Sequence, residues 1–276
     1  DPRQGDLKVT DYLPSSNLDR WYQAALTIEG KLSDWDIVYS GGYFERKVDN
    51  RSDYSYYTVA YDTYGSSATF FPDANGNPID PTQDSLLRDK YTKLTQELRV
   101  SSPAEDPFRL TAGLFLQRQT DKVRADYGTA GIGDVPAPPW FLPFNSSFLP
   151  LTTVVFPGVG VGDTVFLTRI NRIDRDYAAF AQAEYDIAPD FTITAGLRGF
   201  IAKNTIDGFS GLYRDTVRLD ADGNRLCTPV TGLDQPCNNV DKKNDESGLT
   251  YKFNLRWKIP PDAMVYATLS KGFRPG

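Results

Sequence analysis

Residues 249–259 read Leu-Thr-Tyr-Lys-Phe-Asn-Leu-Arg-Trp-Lys-Ile, and their alternation is the strongest structural signal in the chain. Every odd-numbered position holds a large apolar residue, whereas every even-numbered position holds a polar one. A period of two is typical of a β-strand with one apolar face, because a helix would scatter both classes around its circumference. The stretch also has the length of a tilted strand that crosses a membrane.

The same unit recurs along the chain as hairpins. After residue 259 the sequence Pro260-Pro261-Asp262-Ala263 predicts a tight turn, because proline cannot continue a strand ladder. The pattern predicts eight strands, at roughly 18–32, 34–51, 91–102, 107–127, 172–188, 190–207, 246–259 and 263–276. The hairpins are joined by long connections, at roughly 52–90, 128–172 and 208–245.

This layout of short turns and long loops is that of an outer-membrane barrel, with the turns periplasmic and the loops outside the cell. The sequence therefore predicts an all-β fold, an antiparallel transmembrane β-barrel. Structureless connections this long are uncommon in compact soluble domains, which speaks against a soluble sandwich.

The composition is consistent with a sheet that meets lipid on one face and water on the other. Aromatic residues make up 13% of the chain, yet 24% of residues are charged and the mean hydropathy is −0.44. A secreted β-sandwich has a similar composition, so composition alone leaves that alternative open. The net charge of −6 predicts no nucleic-acid partner, since binding to nucleic acid calls for a basic surface. No apolar run is long enough for a membrane helix.

The first residues, Asp1-Pro2-Arg3-Gln4-Gly5, do not resemble a signal peptide, because no apolar segment follows a basic one. We therefore expect a chain that has been processed or that was cut from a longer protein.

The two cysteines, Cys227 and Cys237, lie in a polar, turn-rich segment. We expect a local disulfide formed in an oxidising compartment, with two unpaired thiols as the alternative. Two cysteines without any histidine are poor metal ligands, so we expect neither a metal nor a cofactor.

Aromatic residues are concentrated in two of the predicted loops. One group contains Tyr54, Tyr56 and Tyr57, and the other contains Trp140 and Phe141. As candidate ligand-binding residues they would form a platform above the pore. Alternatively, they pack the loops together or sit in the interfacial girdle of aromatic side chains.

Several segments resemble the barrel of TonB-dependent receptors. They are 96–102 with 110–115, 177–185 leading into 194–198, and the closing stretch 265–276, which is the most specific. The resemblance extends over nearly all of the chain.

The resemblance implies a barrel of about 22 strands, closed by an N-terminal plug domain and powered by the TonB complex of the inner membrane. Such receptors import ferric siderophores, cobalamin or sugars through the outer membrane of Gram-negative bacteria. This sequence contains no plug and no TonB-contacting box, so it corresponds to about eight of those strands. The implied partners are outer-membrane lipid, the plug, the TonB complex and a small ligand, with a ferric siderophore first.

Strand parity places Arg198, Lys252 and Arg256 on the inward face, where basic side chains suit an anionic chelate. The alternative is that inward charges pair with one another or with the plug. A second reading of the whole chain is a self-contained eight-stranded barrel with an adhesion or anchoring role. We expect no enzyme, because a Ser–His pair is impossible without histidine.

Overall fold

The computed structural model describes residues 10–56, 80, 82–130, 163–212 and 237–273, with the backbone alone at Val165 and Leu212. The described chain forms one antiparallel sheet in which each strand pairs with the next strand in sequence, which confirms the predicted all-β fold. No helix in these ranges is long and apolar enough to span a membrane. The strands are β1 (Ser16–Leu32), β2 (Trp35–Asp53), β3 (Gln83–Ser101), β4 (Phe108–Thr129), β5 (Thr164–Ala188), β6 (Phe191–Leu212), β7 (Val240–Ile259) and β8 (Ala263–Ser270).

The sheet is open. Within the described residues β1 and β8 are the two edge strands, and they pair with β2 and β7 but not with each other. An open sheet fits a section of a larger barrel better than the alternative in which the eight strands close on themselves.

The two ends of the sheet differ in their connections. At one end the strands are joined by short turns, where Ser33 adopts a left-handed φ of 56° and the Pro260–Pro261 bond is cis. At the other end the connections are long, and most of their residues lie outside the described ranges. The short turns are 33–34, 102–107, 189–190 and 260–262, and the long connections are 54–82, 130–163 and 213–239.

Several strands extend further toward the long connections than the alternation predicts. β3 begins at Gln83 rather than near 91, β5 at Thr164 rather than near 172, and β7 at Val240 rather than near 246. The apolar–polar period that marks a half-buried strand is absent there: residues 240–245 are almost all polar, and residues 83–90 and 164–171 mix apolar and polar residues without alternation. Conversely, β8 ends at Ser270 rather than near 276, and residues 274–276 lie outside the described ranges.

The pairing register fixes which side chains share a face. In β6 and β7 the apolar residues stand opposite one another, as in the pairs Leu197–Tyr251 and Ile193–Leu255. Continued across all the strands, this register collects most of the large apolar side chains on one face, which we call the outer face. We call the opposite face the inner face.

The apolar side chains of the outer face form a continuous band, the apolar belt. Its members do not pack into a core, since Leu26 is 57% exposed, Leu114 57% and Leu249 63%. An exposed apolar surface this large marks a contact with lipid or with another protein. The belt runs from Tyr22 to Leu32 in β1, Trp35 to Tyr43 in β2, Leu94 to Val100 in β3, Phe108 to Leu116 in β4, Tyr177 to Tyr185 in β5, Phe191 to Ile201 in β6, Leu249 to Trp257 in β7 and Val265 to Leu269 in β8.

One polar side chain within the apolar belt has a hydrogen-bond partner on the neighbouring strand. Gln96 lies on the outer face, and its side-chain oxygen accepts a hydrogen bond from the Tyr39 hydroxyl of the neighbouring strand. The Tyr39 ring reaches across Gly41, where a Cβ atom would lie 2.8 Å from the tyrosine oxygen. The hydrogen bond satisfies a polar group that an apolar surface around it would leave without a partner.

On the inner face a glycine makes room for an aromatic ring. Gly113 stands directly opposite Phe180, and a Cβ atom at Gly113 would lie 2.5 Å from the Phe180 Cζ and 2.7 Å from the Leu98 carbonyl oxygen. The carbonyl oxygen belongs to the backbone and cannot turn away. The ring of Phe180 therefore depends on the absence of a side chain at position 113.

Gly113→Ala is expected to destabilise the folded protein by about 1–3 kcal/mol, because the added methyl group overpacks against a ring and a backbone atom. The matched control is Gly196→Ala, where the nearest atoms to a Cβ are 3.7 Å away, in ordinary contact. The measurement is the unfolding midpoint of the folded, heat-modifiable band on a gel. Equal midpoints for the two variants would contradict this account.

Candidate functional site

The inner face is polar over most of its area, and three zones along the strands carry the charges nearest to the predicted site residues. An ion-pair network lies near the short turns, the predicted bases Arg198 and Lys252 lie at mid-height with Arg99 on the same face, and a group of carboxylates lies nearer the long connections. A face of this kind suits water or another polar surface, whereas the belt suits lipid or another apolar surface.

The network near the short turns is centred on Arg109 and Asp186. The Arg109 guanidinium donates two hydrogen bonds to the Asp186 carboxylate, at 2.6 and 2.9 Å, and its Nη2 lies 3.6 Å from Glu184. The Thr192 hydroxyl donates to Asp186 at 2.7 Å and accepts from Arg256 Nη2 at 3.1 Å. Bidentate geometry and partial burial make this a rigid structural junction of β4, β5, β6 and β7.

The three predicted basic candidates share the inner face but differ in their surroundings. Arg256 is held by Thr192, although its Nε atom is buried without a hydrogen-bond partner in the described structure. Arg198 lies over the ring of Phe115, with its Cζ 5.7 Å from the ring centroid. Lys252 is exposed, stands opposite Gly196, and has no ion pair among the described residues. Arg198 and Lys252 therefore form no ion pair among the described residues, whereas Arg256 belongs to the network near the short turns.

The carboxylates of the third zone did not stand out in the sequence. Asp174 accepts hydrogen bonds from Arg172 Nε at 3.0 Å and from Gln119 Nε2 at 3.3 Å, and Asp176 accepts from Gln117 Nε2 at 2.9 Å. Asp89 in β3 and Asp121 in β4 each keep one buried carboxylate oxygen without a hydrogen-bond partner among the described residues. These four acids come from three strands, and only the pairing register brings them together on one area of the inner face.

The described aromatic candidates pack against other aromatic residues at the end with the long connections. The Tyr54 ring meets Tyr127 edge-on at 4.9 Å, and the Tyr127 ring meets Phe166 at 5.8 Å. Tyr56 meets Tyr12 at 5.4 Å, and its hydroxyl donates to the Thr10 carbonyl oxygen at 2.8 Å. These are packing contacts between aromatic rings, and the rings of Tyr54 and Tyr56 both remain partly exposed. Tyr57, Trp140 and Phe141 lie outside the described ranges.

Asp53, the last residue of β2, ties residues 12–13 to this end of the sheet, above the apolar belt. Its carboxylate accepts hydrogen bonds from the backbone N–H groups of Tyr12 at 2.5 Å, Leu13 at 3.3 Å and Ser55 at 2.9 Å. Burial acts to raise the pKa of Asp53, but these hydrogen bonds outweigh it and hold the pKa below its ordinary value.

Cys237 is almost fully buried and is disulfide-bonded. Cys227 lies outside the described ranges, so the pairing of Cys227 with Cys237 stays a prediction. No cluster of three or more potential ligands for a metal ion occurs among the described residues.

Comparison with known proteins identifies what the sheet is similar to. A family model described as "TonB dependent receptor-like, beta-barrel" matches residues 2–276. The structure of the ferric yersiniabactin uptake receptor FyuA from Yersinia pestis matches with a TM-score of 0.58 and 11% sequence identity, covering 94% of this chain and 29% of that chain. The closed form of the ferric-catecholate import receptor Fiu from E. coli K12 matches with a TM-score of 0.50 and 14% identity, covering 92% of this chain and 33% of that chain.

At these identities the likeness shows the fold alone, and the chain spans about a third of the length of the two structures. No curated protein matches the sequence significantly.

Asp186→Asn is expected to lower the free energy of unfolding by more than the loss of an exposed ion pair does, because it removes the charge from the bidentate partner of Arg109. The matched control is Asp36→Asn, which breaks an exposed ion pair with Lys31 at 3.5 Å and is expected to cost under about 1 kcal/mol. Denaturant titration of the folded protein in detergent measures both. A loss at Asp186 no larger than that at Asp36 would refute the structural role of the network.

The pKa of Asp53 predicts a pH-dependent contribution to stability. Because the pKa is lowered in the folded state, the contribution is present above the ordinary value of about 3.9 and is lost as the pH falls below it. Thermal unfolding of the wild type and of Asp53→Asn is expected to differ most above about pH 4 and to converge in more acidic solution. Asp11→Asn, at an exposed aspartate, is the control and should follow the wild type throughout.

Proposed function

Because the chain belongs to the family of TonB-dependent receptor-like β-barrels, we propose that it forms part of the wall of an outer-membrane receptor that imports a ferric siderophore or a similarly scarce nutrient. The single observation that supports this role most strongly is the two-sided sheet. Its belt of exposed apolar side chains suits lipid, and its polar inner face suits a water-filled or plug-filled lumen.

The open edges of the sheet support a larger barrel. The backbone groups of β1 and β8 that face away from the sheet would lack partners in lipid, which costs several kcal/mol for each group. Further strands on both sides would remove that cost. The proposed partners are therefore outer-membrane lipid around the belt, additional barrel strands at both edges, a plug domain in the lumen, and the TonB complex that acts on the plug.

Ferric siderophore is the first cargo to consider. The two similar structures are of receptors for ferric yersiniabactin and for ferric catecholates. Ferric catecholate chelates carry negative charge, and the available basic side chains on the inner face, Arg198 and Lys252, suit such a cargo. Tyr54, Tyr56, Tyr57, Trp140 and Phe141 are proposed to contribute an aromatic platform at the outer end of the pore.

The second candidate is a self-contained outer-membrane barrel with an adhesion or anchoring role. The intact mass of the native protein, extracted from outer membranes in detergent, separates the two. A mass far above 30.8 kDa is expected for a receptor of which this chain is one section. A folded, heat-modifiable species of about that mass would support the second candidate instead. We expect no enzymatic activity and no cofactor in either case.

Replacing both Arg198 and Lys252 with glutamine is expected to weaken binding of an anionic ferric chelate by about tenfold or more, because each loses a charge-assisted contact. The matched control is Lys31→Gln, at an exposed lysine beside a short turn. Fluorescence titration of the native-length receptor with the chelate measures the affinity. Unchanged affinity in the double variant would rule out a ligand-facing role for these two residues.

A further inference from the structure

The outer face changes character abruptly at the edge of the apolar belt that lies nearer the long connections. In β1, β4 and β5 the first outward position beyond the belt is a base, namely Arg20 after Tyr22, Arg118 after Leu116 and Arg175 after Tyr177. In β2 and β3 a base occupies the second such position, namely Lys47 and Lys90. Lys122 follows in β4. We call these six residues the basic girdle.

The register places most of these bases side by side. Arg20 stands directly opposite Lys47, Lys47 opposite Lys90, and Lys90 opposite Lys122, so four neighbouring strands present a row of four bases. Arg118 stands directly opposite Arg175 in the same way. Neighbouring strands are only about 4.8 Å apart, and like charges directly opposite one another destabilise a sheet. A partner of opposite charge would offset that cost.

The protein itself supplies little of that opposite charge. Glu45 forms ion pairs with Lys47 at 2.9 Å and with Lys90 at 3.5 Å. Within the described residues no ion pair or hydrogen bond involves the side chains of Arg20, Lys122, Arg118 or Arg175. Of the six girdle residues only Arg175 is half-buried, and the other five are exposed.

The opposite edge of the belt carries no such charge. There the outward positions of the described strands hold no charged residue, and five of the eight strands carry an aromatic residue. The difference is not a general property of strand ends, because the same eight strands form both edges. The aromatic residues at this edge, nearer the short turns, are Trp35, Phe108, Tyr185, Phe191 and Trp257.

We propose that the basic girdle binds the phosphate groups of a multiply phosphorylated lipid in the outer leaflet. The bases stand about 7–20 Å along the strands from the belt edge, at a rise of about 3.4 Å per residue. Barrel strands are tilted by about 35–45°, which shortens this to a height that matches the level of lipid headgroups. A ligand there has hydrocarbon directly below it along the belt, so an amphipathic molecule fits and a free anion gains nothing from the apolar surface. Each base near an anionic membrane surface contributes attraction, and adjacent bases can share one lipid with several phosphates.

A second copy of this chain is a poorer occupant. A symmetric pairing through this surface would bring two girdles of the same sign together, and like charges in contact oppose association. The lipid assignment rests on the proposed placement of the chain in the outer membrane, but not on the uptake of any cargo.

The experiment uses the native-length protein in lipid nanodiscs that contain phosphatidylcholine alone, phosphatidylcholine with monophosphorylated lipid A, or phosphatidylcholine with diphosphorylated lipid A. Lipids retained by the protein after extraction are counted by native mass spectrometry. Lys90→Gln/Lys122→Gln tests the centre of the girdle. The matched control for the change of charge is Lys31→Gln/Lys258→Gln, near the short turns.

The wild type and the control are expected to retain diphosphorylated lipid in preference to phosphatidylcholine. The girdle variant is expected to lose about tenfold in apparent affinity for that lipid. Lys90→Arg/Lys122→Arg should restore the preference, which excludes misfolding as the cause. Excess inorganic phosphate should not displace the lipid, because it lacks the acyl chains that contact the belt.

Two results would overturn the proposal: equal losses in the girdle and control variants, or a wild type that shows no preference among the lipids. Displacement of the lipid by inorganic phosphate would do so as well. Titration of the same preparations with a ferric chelate reports on cargo binding separately. Failure there, with lipid retention intact, counts against the proposed function alone.

Discussion

A strand in contact with hydrocarbon must satisfy every backbone N–H and C=O group on its neighbours, because lipid offers no hydrogen-bond partner. The sheet obeys this constraint with uninterrupted antiparallel pairing between consecutive strands. The register shifts at Tyr127–Gly128 and at Asp186–Ala188 lie near strand ends rather than within the belt. Continuous pairing in turn leaves no freedom in the orientation of side chains, since each step along a strand reverses the face.

Polar and charged side chains are therefore accommodated differently on the two faces. On the outer face a polar side chain such as Gln96 needs a local partner, which the Tyr39 hydroxyl provides. On the inner face the charged side chains form separate groups at different positions along the strands. Arg109, Asp186, Thr192 and Arg256 join four strands near the short turns, while Arg198 and Lys252 lie above them without an ion pair among the described residues. The proposed receptor wall needs both kinds of inward charge, because its strands must stay in register while its lumen receives a ligand or a plug.

The belt also has two different edges. The edge nearer the short turns ends in aromatic rings such as Trp35 and Trp257, which suit a membrane interface of either charge. The other edge rises into a basic girdle in which Lys90 stands directly opposite Lys122. An asymmetry of this kind is expected when the two leaflets differ in charge, and it agrees with the orientation inferred from the lengths of the connections.

The amino-acid sequence alone determined the strands, their order along the chain and the orientation of the belt residues, because a period of two over residues 249–259 has one structural meaning. It also identified Arg198, Lys252 and Arg256 as inward residues. It did not reveal where β3, β5 and β7 begin, since apolar and polar residues do not alternate in their first segments. Likewise, only tertiary pairing separated Arg256, held by Thr192, from the available Lys252, and placed Asp89 beside Asp121 or Lys90 beside Lys122. Those neighbours come from different strands, and their proximity depends on register, which a local pattern does not contain.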